Sequence, residues 1–170
     1  MELTSKQQAR KAFRVGYSLR MESPAMFDHE KLDVYQLELK FLGWATEFLT
    51  DLFQQSASNT RELRQQLDRA SLSALLNTAE GNGKRQGRQR AKFFDDARGS
   101  AIECAACLDA SVAKKFAVPE RIESGKQMLV RIAAMLSKLV ERFDPEQYRV
   151  REDLSGDSQR FEDEEEYENE

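Results

Sequence analysis

Hydrophobic residues recur at alternating steps of three and four over four segments, which is the spacing of one face of an α-helix. The segments run from about Glu30 to Phe53, from about Thr60 to Ala79, from about Arg88 to Phe116, and from Pro119 to Phe143. The connections between them are short, and short connections make neighbouring helices antiparallel. The sequence therefore predicts an all-α fold, an antiparallel up-and-down four-helix bundle over residues 28–143.

Residues typical of helix ends separate the four segments. Ser58, Asn59 and Thr60 are N-cap candidates for the second helix, and Pro119 suits the first turn of the fourth. The stretch 80–83 contains two glycines. We expect it to end the second helix, because glycine tolerates the left-handed conformation common at helix C-termini.

The first segment carries two apolar stripes, and their centres lie about 160° apart around the helix. A small bundle covers only one such face, and a large exposed apolar strip usually marks an interface. Packing beneath a loop or the N-terminal arm is the alternative for the second stripe. We assign the first stripe to the core and the second to an oligomer interface. The first comprises Leu32, Tyr35, Leu39, Leu42, Leu49 and Phe53, and the second comprises Val34, Leu37, Phe41, Trp44 and Phe48.

Composition excludes several classes of protein. Of 170 residues 40% are hydrophobic and 33% charged, with only 8 Gly and 3 Pro, which excludes a collagenous or wholly disordered chain. No apolar run approaches the roughly 18 to 20 residues that cross a bilayer, and the N-terminal stretch lacks the apolar core of a secretion signal. We expect a cytoplasmic protein with no membrane partner.

Charge is distributed unevenly along the chain. The net charge of -4 is the sum of +3 for residues 1–25, +2 for 26–143 and -9 for 144–170. The tail ends in FEDEEEYENE, which buries too little apolar surface to become ordered. We therefore divide the chain into a disordered basic N-terminal extension (1–27), the bundle (28–143) and an acidic disordered tail (144–170).

The sequence offers no metal centre and no catalytic set. A ferritin-like di-iron site needs two Glu-x-x-His repeats, whereas His29 is the only histidine. Cys104 and Cys107 form a C-x-x-C in mid-helix without two further zinc ligands, so we interpret them as buried packing thiols. We expect a protein that is not an enzyme and uses no cofactor.

Two pairs of polar residues each share a helix face. Asn77 and Glu80 are three apart on the second helix, and Ser100 and Glu103 are three apart on the third. If the faces meet, the four form a structural polar network that sets the helix register. The alternative is an active site in which Glu80 and Glu103 act as acid and base.

The stretch 83–92 carries five positive charges and no acidic residue. Basic, glycine-flanked segments at a helix N-terminus suit phosphate groups, through backbone N–H donors and long-range attraction. A solvated turn is the alternative. The predicted topology places this stretch, the basic arm and the acidic tail at one end of the bundle, where the tail could compete with nucleic acid. The candidate nucleic-acid-binding residues are Lys84, Arg85, Arg88, Arg90, Lys92 and Arg98.

The second and third helices carry a motif that resembles a known family. The resemblance is to the four-helix-bundle proteins encoded in intervening sequences of bacterial 23S ribosomal RNA genes, and it covers roughly residues 28–143. Thr78 stands where the family usually has isoleucine. The matching positions are Ser73, Asn77, Ala79, Glu80, Gly81, Gly83 and Lys84, then Phe94, Ala97, Ser100 and Glu103, together with the helix-one opening at 32–36.

The resemblance implies a homopentameric ring and a role with nucleic acid or with a protein partner. Members are discussed as possible RNA-binding proteins, and a related bundle is the accessory protein of diversity-generating retroelements, which binds reverse transcriptase and nucleic acid. Family membership alone does not choose between these roles. Our first hypothesis is an oligomer that binds RNA or DNA through the basic stretch. The alternative is a scaffold or adapter without intrinsic nucleic-acid affinity.

Overall fold

The computed structural model describes residues 25–55 and 59–145, and within these ranges every regular element is helical. A 3₁₀ turn, Asp28–Lys31, precedes four α-helices. Their bounds are α1 Asp33–Gln55, α2 Arg61–Gly83, α3 Gly87–Ala113 and α4 Pro119–Phe143. Apart from residues 25–27 and 144–145, the expectations for the N-terminal extension and the acidic tail lie outside the described residues.

The four helices form the antiparallel up-and-down bundle that the sequence predicts. Each helix packs against two neighbours, in the cyclic order α1, α2, α3, α4 and back to α1. Hydrogen bonds across the α1–α2 pair show the antiparallel register. The Thr78 hydroxyl reaches Glu38 near the start of α1, and the Thr60 hydroxyl reaches the Leu52 carbonyl near its end.

The predicted starts of α2, α3 and α4 agree with the structure to within one residue, whereas α2 extends four residues beyond the predicted end at Ala79 and α3 ends three residues before the predicted Phe116. Thr60 occupies the N-cap of α2, although its side chain makes no capping hydrogen bond. Pro119 begins α4 as expected. The glycine explanation for the end of α2 is wrong, because the helix continues through Gly83 and the C-cap residue Lys84 is in an extended conformation (φ -73°, ψ 143°). None of the glycines in the described ranges has a positive φ.

Gly81 matters for packing. A Cβ at Gly81 would lie 3.0 Å from the Cβ of Phe93 and 3.1 Å from Cε1 of Phe94. These contacts are tighter than most real Cβ contacts, so a side chain at Gly81 would require Phe93 and Phe94 of α3 to move by a few tenths of an ångström. Ala70 and Ala74 of α2 and Ala97 of α3 are also buried. Small side chains thus allow α2 and α3 to approach closely.

The structure reverses the predicted assignment of the two α1 faces. Residues assigned to the oligomer interface lie in the core of the single chain: Val34, Leu37, Phe41 and Phe48 are between 1% and 8% exposed. Trp44, the fifth of them, is half-buried, stacks on Phe48 with ring centroids 5.3 Å apart, and packs on Gly125 of α4. Of the stripe assigned to the core, Leu32 and Leu49 are partly exposed and still pack against the core, whereas Phe53 is 53% exposed. The other three members are partly exposed: Tyr35, Leu39 and Leu42.

The reason for the reversal lies in the neighbouring helices. Ala45 lies within the second stripe and Leu52 extends it by one step of four, and each is 1% exposed, so this face is larger than the interface assignment recognised. We call it the inner face of α1. Because both faces are apolar, burial was decided by the side on which α2 and α4 pack.

Candidate nucleic-acid interface

The candidate interface lies where α2 ends, α3 begins and α4 ends. A Cβ on Gly87 would lie 3.0 Å from the Phe143 carbonyl oxygen, so the first turn of α3 packs directly against the last turn of α4. That first turn contains no acidic residue, and the N-cap Gln86 makes no side-chain capping hydrogen bond. Backbone N–H groups at a helix N-terminus carry a partial positive charge, which basic side chains here reinforce.

Three of the six predicted contact residues present their charge to solvent. Arg85 and Lys92 are exposed and form no ion pair with the described part of the chain. The side chain of Arg88 is 81% exposed, with its Nε 3.9 Å from a carboxylate oxygen of Asp144. Arg88 and Lys92 are four residues apart and share a face of α3, and Arg85 precedes them by about one turn. We call Arg85, Arg88 and Lys92 the basic end.

The other three predicted contact residues are engaged within the bundle. Lys84 lies 2.7 Å from Glu80 and 4.7 Å from the centre of the Phe93 ring. Arg98 pairs with Asp95 at 2.6 Å. Such contacts do not forbid a phosphate partner, but they lower the charge that these side chains offer to one.

Arg90 contacts residues of two other helices. It donates to Asn82 at 3.1 Å and stacks over the Phe143 ring at 4.2 Å. Its Nε is buried without a hydrogen-bond partner among the described residues. Arg90 therefore serves mainly to join the ends of α2, α3 and α4.

The predicted polar network exists in part, with a different central residue. Asn77 donates to the Ser73 hydroxyl at 3.2 Å, and the hydroxyls of Ser73 and Ser100 lie 3.0 Å apart. The other two predicted members do not belong to it. Glu80 is exposed and pairs with Lys84, while Glu103 is exposed and accepts a hydrogen bond from Gln66. Glu80 and Glu103 are therefore not positioned as an acid–base pair, because both carboxylates are exposed and each contacts a different residue.

A buried carboxylate that sequence reasoning missed lies between α1 and α2. Glu38 is 2% exposed, and its Oε1 accepts a 2.8 Å hydrogen bond from the hydroxyl of Thr78, which is itself fully buried. Glu38 Oε2 has no partner among the described residues. Burial raises the pKa of Glu38 to about 8, although the Thr78 hydrogen bond favours the charged form.

A signal for Glu38 was present in the sequence. Val34, Glu38, Phe41, Ala45 and Phe48 recur at steps of four and three, so Glu38 falls on the same stripe as the inner-face residues. Its partner Thr78 occupies the position where the resemblance leads one to expect isoleucine. Because the inner face was assigned to an oligomer interface, the carboxylate on this apolar stripe was not connected with the threonine that replaces isoleucine.

The cysteine pair behaves as two buried thiols. Cys104 and Cys107 are both free and buried. Burial raises the pKa of Cys104 to about 12 and raises that of Cys107 as well, which disfavours the reactive thiolate. Across residues 25–55 and 59–145, no cluster of three or more potential metal ligands is found. No helix in the described part of the chain is long and apolar enough to cross a membrane.

Fold and site together define a small up-and-down four-helix bundle with a cationic surface at one end. A family model described as 23S rRNA-intervening sequence protein matches residues 30–138. The match spans well over half of the chain, from the 3₁₀ turn to the last turns of α4, and the chain belongs to this family. No curated protein matches the chain.

Proposed function

We propose that this protein is an oligomeric, non-enzymatic bundle that binds RNA or another nucleic acid through phosphate contacts at the basic end. The observation that carries the proposal is the arrangement of Arg85, Arg88 and Lys92 around a helix N-terminus whose first turn contains no acidic residue. Phosphates are attracted both by the cations and by the free backbone N–H groups. These contacts carry no base information, so we expect little sequence preference.

Self-association is the second part of the proposal, and the structure suggests a different surface from the predicted one. Leu72 and Leu76 of α2 are 46% and 57% exposed, and Phe53 of α1 is 53% exposed. Leu49 and Phe53 line one groove with Arg64 and Asp68, and positions 64, 68, 72 and 76 follow one another along a single face of α2. We call the apolar members of this surface the outer face: Leu39, Leu42, Leu49, Phe53, Leu72 and Leu76.

A second copy of the chain is the occupant we propose for the outer face. Large apolar side chains that stay exposed, as Phe53, Leu72 and Leu76 do, are typical of protein–protein interfaces when they lie together on one surface. The homopentamer implied by the family resemblance would repeat the basic end five times around an axis. Repeated weak sites bind one polyanion far more tightly than a single site does.

A salt-titrated RNA shift assay tests the phosphate contacts. The full chain is compared with the double variant Arg85→Glu/Arg88→Glu and with a control, Lys114→Glu/Arg131→Glu, which changes net charge equally at exposed positions elsewhere. We expect wild-type affinity to fall steeply with salt. On single-stranded RNA, the slope of log K against log salt should decrease by about 0.7 for each phosphate that the variant no longer neutralises.

The control decides how weaker binding is interpreted. If both double variants weaken binding equally, attraction by overall charge explains the result and the basic end is not a site. If neither variant changes the affinity, phosphate binding at the basic end is wrong. Retained binding in the control, together with weakened binding in Arg85→Glu/Arg88→Glu, supports the proposal.

A protein scaffold or adapter remains the second candidate, favoured by the same exposed leucines. On this hypothesis the outer face receives a different protein, such as a polymerase. The chain alone would then show a monomeric molar mass and no RNA affinity at any salt concentration. A specific protein would co-purify with wild type and be absent from preparations of Leu72→Gln/Leu76→Gln.

A further inference from the structure

The last described residues lie at the basic end. Asp144, directly after α4, is buried, and its carboxylate lies 3.9 Å from Arg88. The preceding residue, Phe143, packs its carbonyl against Gly87 at the start of α3. Position 145, the last described residue, therefore lies near the first turn of α3 and its exposed cations.

The sequence that follows is opposite in charge to the surface from which it departs. Residues 146–170 contain eleven acidic and three basic residues, for a net charge of -8. Residues 161–170 contain seven acidic residues and no basic one. The first turn of α3 contains no acidic residue, Arg85 and Lys92 are exposed, and Arg88 lies beside Asp144 with its side chain 81% exposed. Charge complementarity is thus present within one chain.

We propose that the acidic segment 161–170 occupies the basic end of its own chain. There it takes the place of nucleic-acid phosphates, so binding of the two is mutually exclusive. The evidence for the contact is the opposite charge of the two regions and the position of residues 144–145 at the basic end. Its consequence for nucleic-acid binding rests on the function proposed above.

The connecting residues are long enough for this contact. Fifteen residues, 146–160, separate the described chain from the acidic segment. A fully extended chain of that length spans roughly 50 Å, and a random coil of that length about 20 Å. Lys92 lies five residues from the start of α3, only about 8 Å along the helix axis. A short tether gives an effective concentration in the mM range, which populates even a weak ionic contact.

Energy transfer within the full chain tests the contact directly. Dyes are placed at Gln89→Cys on the exposed first turn of α3 and at Glu170→Cys, since the native cysteines are buried. Labelled chains are diluted in excess unlabelled protein, so that transfer between copies does not contribute. We expect high transfer efficiency at about 50 mM salt and a marked fall at about 500 mM, where screening is stronger.

Two variants of segment 161–170 test whether its negative charge, and not the substitution itself, determines the transfer efficiency. Changing Glu162, Glu164, Glu165 and Glu166 together to Gln should lower the transfer efficiency at low salt to its high-salt level. Changing the same four residues to Asp preserves the charge and should leave the efficiency at the wild-type value. Arg85→Glu/Arg88→Glu should lower it as the Gln variant does. If transfer is unaffected by the Gln variant or by the Arg reversals, the segment does not occupy the basic end.

RNA binding by the same variants distinguishes this inference from the proposed function. If the tail occupies the site for most of the time, the Gln variant should bind RNA about three- to tenfold more tightly at low salt, and the Asp variant should bind as wild type does. A response in energy transfer without RNA binding by any variant would support the tail contact and contradict the proposed function. RNA binding that depends on Arg85 and Arg88, without any response in energy transfer, would support the proposed function and contradict the tail contact.

Discussion

The inner face of α1 and the α1 part of the outer face have similar sequence patterns and different environments. Phe48 on the inner face is 1% exposed, whereas Phe53, five residues later on the outer face, is 53% exposed. The inner face also contains Ala45, which is buried, and Glu38, the only carboxylate on α1 that is enclosed. The comparison shows that periodicity identifies an apolar stripe without identifying what covers it.

The largest expected difference between the faces is in the free energy of unfolding. Phe48→Ala should lower it by about 3 to 5 kcal/mol, because a fully buried ring is replaced by a cavity. Phe53→Ala should cost about 1 kcal/mol or less, mainly through its contact with Arg64, whose guanidinium lies 4.7 Å from the ring centre. Urea denaturation at equal protein concentration measures both. Equal costs would contradict the assignment of the faces.

Glu38 should make the inner face sensitive to pH. The pKa of Glu38 is about 8 in the fold and 4.5 without it. Between these values the unfolded chain has released a proton that the folded chain still holds, so stability falls as pH rises. The slope should reach about 1.4 kcal/mol per pH unit, with a total of about 3 kcal/mol between roughly pH 5 and pH 8.

Substitution isolates the contribution of Glu38. Glu38→Gln keeps the shape of the side chain and should remove this decline with pH. The control Glu47→Gln, at an exposed position of the same helix, should leave the decline as it is in wild type. A decline that persists in Glu38→Gln would show that other groups cause it.

Two helical glycines allow the packing beside the inner face to be tested. A Cβ on Gly125 would overlap the indole of Trp44, whereas a Cβ on Gly99 would meet nothing within 4 Å. Gly125→Ala should destabilise by about 1 to 3 kcal/mol through overpacking, and Gly99→Ala should stabilise by up to about 1 kcal/mol through helix propensity. Thermal denaturation should therefore shift in opposite directions. Stabilisation by both would mean that Trp44 is not held against Gly125.

The outer face should affect assembly while leaving the fold of the single chain nearly unchanged. Leu72→Gln/Leu76→Gln should alter subunit stability by about 0.5 kcal/mol or less, because both side chains are largely exposed. Its molar mass by light scattering should fall below that of wild type. Ile102→Gln/Val130→Gln, a change at exposed apolar positions elsewhere, should keep the wild-type mass. A wild-type chain that is already monomeric would contradict the proposed interface.

Helix order and bundle topology could be predicted because their causes are local or nearly so. The spacing of apolar residues, Pro119 at the start of α4 and the short connections are all readable in the sequence. The motif around Gly81 also identified the family correctly. Its structural reason was different, because Gly81 makes room for Phe94 instead of adopting a left-handed conformation.

The candidate site could be predicted only in outline. A run of cations near a helix start is visible in sequence, but the pairing of each side chain is not. Lys84 and Arg98 pair with carboxylates three or four residues away in sequence. Arg90 contacts the Phe143 ring and the Asn82 side-chain amide, which belong to other helices. The two predicted network carboxylates, Glu80 and Glu103, likewise turned out to be exposed, and Ser73 took the connecting role.

The sequence by itself determined where the chain is helical, to within about four residues at each helix end, and how the four helices are ordered. These features depend on residues close to one another along the chain. Only the tertiary structure decided which apolar face of α1 became core, which cations remained exposed and where a carboxylate was enclosed. Each of these depends on residues distant in sequence, which exclude water from a side chain or form a hydrogen bond or ion pair with it. Glu38 illustrates the difference, since its pKa is set by burial and by Thr78, forty residues away.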